Sequence, residues 1–298
     1  MSGRAARTLA QAKINLALRV FGKEADGYHS IETVFLRLDL GDNVEVRTTQ
    51  GGRSLRCFEM RDKRPEENLA YRAAALFAEE TGWPKGFEIE IVKTIPIGGG
   101  LGGGSADAAA VLRILNTLAS KPVAPGKLQE LAGRLGSDAP FLASDHVMAL
   151  SWGRGERMLA IEPLPPRDIQ LFFPPFGIDT GEAYALLDAA RGPYTGAGRE
   201  LTTEMFSDWE SAARNSVNDF ETVMRPQWPE IDGLLARGDR YGLFFRMSGS
   251  GSTVFKVSGV STPSLDAEAE VPPLEIPDGT RRTVTRNAEI VVPVELLD

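Results

Sequence analysis

An α+β fold in two domains is what the sequence predicts, and three observations carry the prediction. The chain has 298 residues, about two domains' worth. Residues 87–93 (FEIEIVK) alternate like a strand, a glycine-rich loop follows, and 106–119 have the alanine and leucine content and the spacing of a helix. A change of composition at PLPPRD marks a boundary that divides residues 1–163 from 164–298.

Composition bounds what the chain can be. It is 42% hydrophobic and 25% charged, as in ordinary globular proteins, with a formal net charge of −8 that argues against a general nucleic-acid binder. Its one cysteine, Cys57, cannot form an internal disulfide, which fits a reducing compartment. No run approaches the ~18 apolar residues of a membrane span, and the basic start MSGRAARTLAQAK lacks the apolar core of a signal peptide. The expectation is a cytoplasmic protein without membrane or nucleic-acid partners. Two histidines and one cysteine leave no zinc-like cluster, so any metal would be held by oxygens, as magnesium is.

Taken in order, residues 12–20 alternate, with Ile14, Leu16 and Leu18 on one face and Lys13, Asn15 and Arg19 on the other. By itself that is the pattern of a surface strand. Asp26-Gly27 is a turn signal, so Tyr28 and His29 open a return strand over 29–40, and 42–47 read as a further strand. Residues 61–67 form a charged loop, and Asn68 stands at the N-cap of a helix over 69–80. Beyond the central helix, 127–135 form a short amphipathic helix ended by Gly136. Asp138, two residues before Pro140, reads on its own chemistry as a helix cap. Residues 148–161 read as a hairpin around Gly153-Arg-Gly155-Glu156. In the second half, 168–173 are a strand, and Asp179-Thr180 caps a helix over 182–190 that carries Tyr184 one turn in. A loop at 192–198 precedes helical patterns over 207–242. MSGSGSTVF (247–255) is a second glycine loop entering a strand, 260–278 are proline-rich and acidic without a pattern, and EIVVPVELL reads as an extra edge strand.

The central loop is where chemistry enters. Six of the seven residues from Gly98 to Gly104 are glycine, and ordering each costs about 0.5–1 kcal/mol more than ordering alanine. Glycines there let backbone N–H groups turn toward a ligand, and the following helix offers unsatisfied donors and a partial positive charge, which together make an anion cradle suited to phosphate. Two familiar phosphate loops fit imperfectly. Gly98-x-Gly100-x-x-Gly103 lacks the acidic residue of a dinucleotide site about twenty residues on, and Gly104 stands where a Walker loop has lysine.

The stretch PIGGGLGGGSADAA resembles the second motif of the galactokinase, homoserine kinase, mevalonate kinase and phosphomevalonate kinase (GHMP) superfamily. AKINLALRVFGKEADGYHSIETVF and MSGSGSTVF resemble its other two motifs in the right order, and the first is similar to the branch that phosphorylates the 2-hydroxyl of 4-diphosphocytidyl-2-C-methyl-D-erythritol in non-mevalonate isoprenoid synthesis. The resemblance implies a two-domain GHMP kinase fold, with an N-terminal nucleotide-binding domain and a C-terminal α/β-sandwich-like domain closing over it. It implies ATP and Mg2+ as cofactors and a cytidine-diphosphate-linked small molecule as acceptor; another GHMP small-molecule kinase, for homoserine or mevalonate, is the alternative. Lys13 and Asp138 are the catalytic residues it implies. ATP would meet Asn68, Lys93, Pro96, Gly98, Gly99, Gly100, Leu101, Gly102, Gly103, Gly104 and Ser105. Asn15, Tyr28, His29, Thr180 and Tyr184 would hold the acceptor, Tyr28 by stacking and His29 by recognising cytosine, with Thr180 and Tyr184 closing the pocket opposite. Asn218-Asp219 resembles the family's ND pair, and the metal ligands are not specified.

Overall fold

The computed structural model describes residues 3–23, 27–62, 64–191, 200–262 and 271–298. Asp26 of the first turn, the loop at 192–198 and residues 263–270 of the acidic stretch lie outside them.

Two long strands frame the first half. β1 (Ala5–Lys23) and β2 (His29–Thr49) form an antiparallel hairpin. The expected break between 40 and 42 does not occur. Gly41 lets β2 run on past β1, where a Cβ would sit 2.7 Å from Leu9 Cγ. The other edge of β2 is shared: Ile31–Leu36 pair with β5 (Met148–Gly153), and Asn43–Thr49 pair with β4 (Gly86–Val92). β6 (Arg157–Ala160) completes the expected hairpin, and β3 (Arg53–Cys57), which the sequence did not announce, pairs parallel to β4. Of the expected edge strand over 289–297 only β11 (Glu295–Leu297) forms, pairing with β1 and making a seven-stranded sheet among the described residues.

Helices cover that sheet. α1 (Leu69–Thr81), α2 (Gly103–Leu118), α3 (Pro125–Gly133) and α4 (Ala139–Ala143) pack around one another, with α2 lying on β1 and β2. Alanines 106 and 108–110 are buried, so small side chains bring α2 close to the strands. α3 stops at Gly133 rather than running to Gly136, because Arg134 and Leu135 close its last turn with bonds to the carbonyls of Leu131 and Ala132.

The second sheet runs β10 (Arg281–Arg286), β7 (Asp168–Phe173), β9 (Val254–Ser261), β8 (Leu243–Met247), all antiparallel. Alternation along β7 sends Ile169, Leu171 and Phe173 into the core shared with the first sheet, while Phe172 faces a second core with α5 (Thr180–Arg191), α7 (Glu221–Met224) and α8 (Pro229–Tyr241). The helical patterns over 207–242 are three helices, α6 (Trp209–Asn215) being separated from α7 by a break at Asn218. β10, sequence RRTVTR, carried no strand signal because it is a charged, largely exposed edge. No helix among the described residues is long and apolar enough to cross a membrane.

Candidate active site

A bulge decides which side chains of β1 share a face. Register shifts between Asn15 and Ala17, so the alternation flips: Leu18, not Arg19, joins Lys13 and Asn15 along the cavity, and Leu18 leaves Ile14 and Leu16 for the second core. The surface-strand pattern is also overturned, since Lys13 and Asn15 are only 2% and 3% exposed. Buried ions need partners, and the Lys13 ammonium has three: Asn15 Oδ1 at 2.7 Å, the Gly100 carbonyl at 3.0 Å and Asp138 Oδ2 at 3.2 Å. Asn15 in turn donates to Thr33 Oγ1, which donates to the Ala17 carbonyl at the bulge. Thr33 was not foreseen from the sequence.

Asp138 sits at the N-cap position of α4 but accepts no capping hydrogen bond, so the cap reading of this residue fails and its carboxylate is left to Lys13. α4 is held from its far end by Arg37 of β2, a fully buried guanidinium that donates to the carbonyls of Phe141, Leu142, Ser144 and His146. Burial pushes Arg37 down to about 9, Arg113 adding to the effect. The tip of the β5–β6 hairpin touches the residue before Asp138, and a Cβ on Gly155 would come within 2.5 Å of the Ser137 carbonyl.

The glycine loop turns its carbonyls into the protein. Leu101, buried, accepts from the Lys13 amide; Gly100 accepts from Lys13 Nζ and Ser248 Oγ; Gly99 accepts from the Thr253 amide. Gly98, Gly100 and Gly102 have φ of 75°, 74° and 71°, a region that side chains resist. α2 begins at Gly103, inside the glycine run, so its first amides belong to the loop. The second glycine loop packs on the first so closely that a Cβ on Gly100 would lie 2.2 Å from the Ser248 carbonyl. Asn218 holds that second loop by donating to the carbonyls of Met247 and Gly249, while Asp219 accepts from the Val20 amide and pairs with Arg191.

At the loop's entrance Lys93 is buried between Asp42 at 2.5 Å and Asp107 at 2.7 Å. Burial alone would lower the Lys93 ammonium, but the charges of Asp107 and Asp42 outweigh it and raise its pKa. The Asp107 carboxyl is pushed up to about 7, by burial first, with Lys93 opposing and Asp42 adding. Asp42 also accepts from the Thr94 and Ile95 amides, fixing the approach to the loop. Lys93 therefore reaches the cavity wall with its charge already matched. Neither acid was expected; the only hint was a lone aspartate in each of LGD and SADAA.

These elements bound a cavity of about 510 Å³. Asn68, Lys93, Pro96 and Ile97 line one end, the loop from Gly98 to Ser105 and the Lys13–Asp138 pair line the middle, and Thr180, Tyr184 and Phe220 line the other. Asn68 does cap α1, accepting from the Ala70 amide, while lining the cavity. Ile31, Ser137, Thr180 and Tyr184 also wall a neighbouring cavity of about 450 Å³ that holds Tyr28, His29, Arg154 and Asp188. There His29 stacks on Tyr184 with ring centroids 4.7 Å apart, Arg154 lies 4.4 Å over the exposed Tyr28 ring, and Thr180 Oγ1 meets Ser250 Oγ at 3.2 Å. Burial, and next the Asp138 charge, push the Tyr184 phenol up to about 12, so it remains a neutral ring and donor. The structure thus brings the expected residues together along two adjoining cavities, the first lined by the glycine loop and the Lys13–Asp138 pair and the second by Tyr28 and His29, with Thr180 and Tyr184 shared between them.

Residues 68–149 match the family model for the GHMP kinases N terminal domain. A protein of Pelotomaculum thermopropionicum named 4-diphosphocytidyl-2-C-methyl-D-erythritol kinase is 39% identical over 83% of this chain and 87% of its own length. The chain belongs to the 4-diphosphocytidyl-2-C-methyl-D-erythritol kinase family. A second member of that kinase family, from Heliobacterium modesticaldum, is 35% identical over 89% of this chain and 90% of its own. The crystal structure of a 4-(cytidine 5'-diphospho)-2C-methyl-D-erythritol kinase matches with a TM-score of 0.69 at 36% identity, covering 85% of this chain and 90% of that one. Homoserine kinase from Cytophaga hutchinsonii, at 17% identity and a TM-score of 0.64, shares the fold with this kinase family.

Proposed function

We propose that the chain is an ATP-dependent kinase that transfers the γ-phosphoryl group to the 2-hydroxyl of 4-diphosphocytidyl-2-C-methyl-D-erythritol, in isoprenoid-precursor synthesis. The observation that carries the reading is the Lys13–Asp138 pair, 3.2 Å apart, set against the glycine loop in a cavity that Tyr184 also lines. ATP lies with its phosphates on the amides of the glycine loop and the start of α2, and its base toward Asn68. The acceptor's cytosine lies among Tyr28, His29 and Tyr184, and Asn15 borders its reacting end.

Phosphoryl transfer asks the protein mainly for positioning and charge. Asp138 orients the 2-hydroxyl and takes its proton as the oxygen attacks the γ-phosphorus, and the bond to the β-phosphate oxygen breaks to release ADP. Lys13, fixed by Asn15 and Gly100, neutralises charge on the moving group. Magnesium supplies further neutralisation when bound. Among the described residues no three His, Cys, Asp or Glu side chains gather as a cage, which suits an ion held mostly by the phosphates, with Asp138 as the carboxylate beside it. In this reading residues 1–163 bind the nucleotide and 164–298 close over the acceptor.

A coupled ADP-release assay tests the proposal. Turnover is expected with ATP and the cytidyl acceptor and not with homoserine or mevalonate; turnover with either of those alone would move the chain to another GHMP activity. Asp138→Ala is expected to lower kcat by about 10²–10⁴ with ATP binding kept, the usual contribution of a positioned acid or base. A loss below tenfold would remove Asp138 from the chemistry.

A further inference from the structure

We propose that Asp188 is a positioning residue that makes this enzyme choose cytosine over uracil, by fixing which nitrogen of His29 carries the proton; the inference rests on the acceptor reading given above. His29 Nε2 lies 2.7 Å from Asp188 Oδ1 across the aromatic pocket. A carboxylate only accepts, so Nε2 is the nitrogen that bears hydrogen, and in the neutral imidazole Nδ1 is then a bare lone pair. Tyr184 stacked on one face, at an interplanar angle of 20°, leaves the ring little freedom to turn over and exchange the two nitrogens. The His29 side chain is 7% exposed, and Nδ1 has no hydrogen-bond partner among the described residues. An acceptor without a protein donor, on a ring that lines the cavity, is suited to a donor brought by the ligand.

The two pyrimidines differ at that point. Cytosine carries an exocyclic amine, a donor, where uracil carries a carbonyl oxygen, an acceptor. A fixed Nδ1 lone pair accepts from the amine and is repelled by the oxygen, so discrimination comes from an unmatched pair as much as from a matched one. Stacking on Tyr28 or Tyr184 cannot supply it, because both bases present the same kind of ring face. Asp188 thus acts without touching the base, by holding the imidazole in the tautomer that reads it.

The test uses the full-length enzyme and Asp188→Ala, assayed with the cytidyl acceptor and its uridine diphosphate counterpart. Asp188 is on an exposed face of α5, with its side chain 47% exposed, so folding is expected to survive the change. The expected result is a fall of about 10–100-fold in the ratio of kcat/KM for cytidyl over uridyl acceptor, carried by KM, with KM for ATP unchanged. Nitrogen-15 spectra give a readout that mere packing would not move. There are two histidines, and His146→Gln assigns them. The wild type should show His29 protonated at Nε2, and the variant a mixture of tautomers. An unchanged ratio in an active variant, or a wild-type His29 protonated at Nδ1, overturns the inference alone. A wild type inactive on the cytidyl acceptor overturns the acceptor reading beneath it.

Discussion

A single methyl group tests the centre of the site. Gly102 has φ of 71°, and a Cβ there would lie 3.1 Å from Lys13 Cε and 3.2 Å from Asp138 Oδ2. Gly102→Ala is therefore expected to lower kcat at least tenfold, by about 1.4 kcal/mol or more of barrier, while ATP affinity falls less. Gly102→Val should weaken ATP binding too, because the larger side chain extends from the same point toward the phosphates. Steady-state kinetics beside calorimetric ATP titration separate the two; equal losses in both variants would mean that the methyl meets the phosphates first. At this scale the glycines stood out by identity and spacing, whereas Lys13 and Asp138 were singled out by the family resemblance alone, their own patterns reading as a surface strand and a helix cap. Thr33, Arg37 and Asp188 were not legible, since each acts through a neighbour 18 to 159 residues away in sequence, or through the far end of a helix.

Between elements, the weightiest polar junction is Asp42 of β2, Lys93 after β4 and Asp107 of α2. Removing the shared cation leaves two buried carboxylates facing each other, so Lys93→Met is expected to destabilise by about 3–5 kcal/mol, the cost typical of a buried pair broken on one side. Denaturant titration checks it. The junction also titrates. Asp107, at about 7 in the folded protein, is near 3.9 unfolded, so between roughly pH 4 and 7 the folded state holds a proton that the unfolded state has lost. Its contribution to stability therefore falls as pH rises through that window and levels off above it. Asp107→Asn cannot titrate there, and should flatten the slope of unfolding free energy against pH between those limits. An unchanged slope would place the proton elsewhere. Element types were mostly readable from period, but the bulge at Asn15 was not, because a one-residue shift leaves no mark on composition yet exchanges the partners of Leu18 and Arg19.

For the molecule as a whole, the two glycine loops join the sheets. The carbonyls of Gly99 and Gly100 are tied to Thr253, Ser248 and Lys13, which leaves the loop's amides as its free chemistry. Amide hydrogen exchange should show Gly102 to Ser105 slowed on adding Mg-ATP, with the strands of both sheets unchanged; equal protection without nucleotide would count against the cradle. The two-sheet α+β architecture was legible from the strand, loop and helix pattern and from the family resemblance. The route of the chain between the sheets was not, since pairing partners far apart in sequence leave no local signal. That route has a practical result. Because Glu295–Leu297 return to β1, and Thr8 and Gln11 bond to residues 290–293, the first sheet is sewn with thread from both ends of the chain. A protease nick between β6 and β7 should then leave two fragments that migrate as one particle until denatured, and a fragment stopped at residue 163 should expose the bare rim of β1 and self-associate, so this kinase cannot be dissected into working halves by one cut.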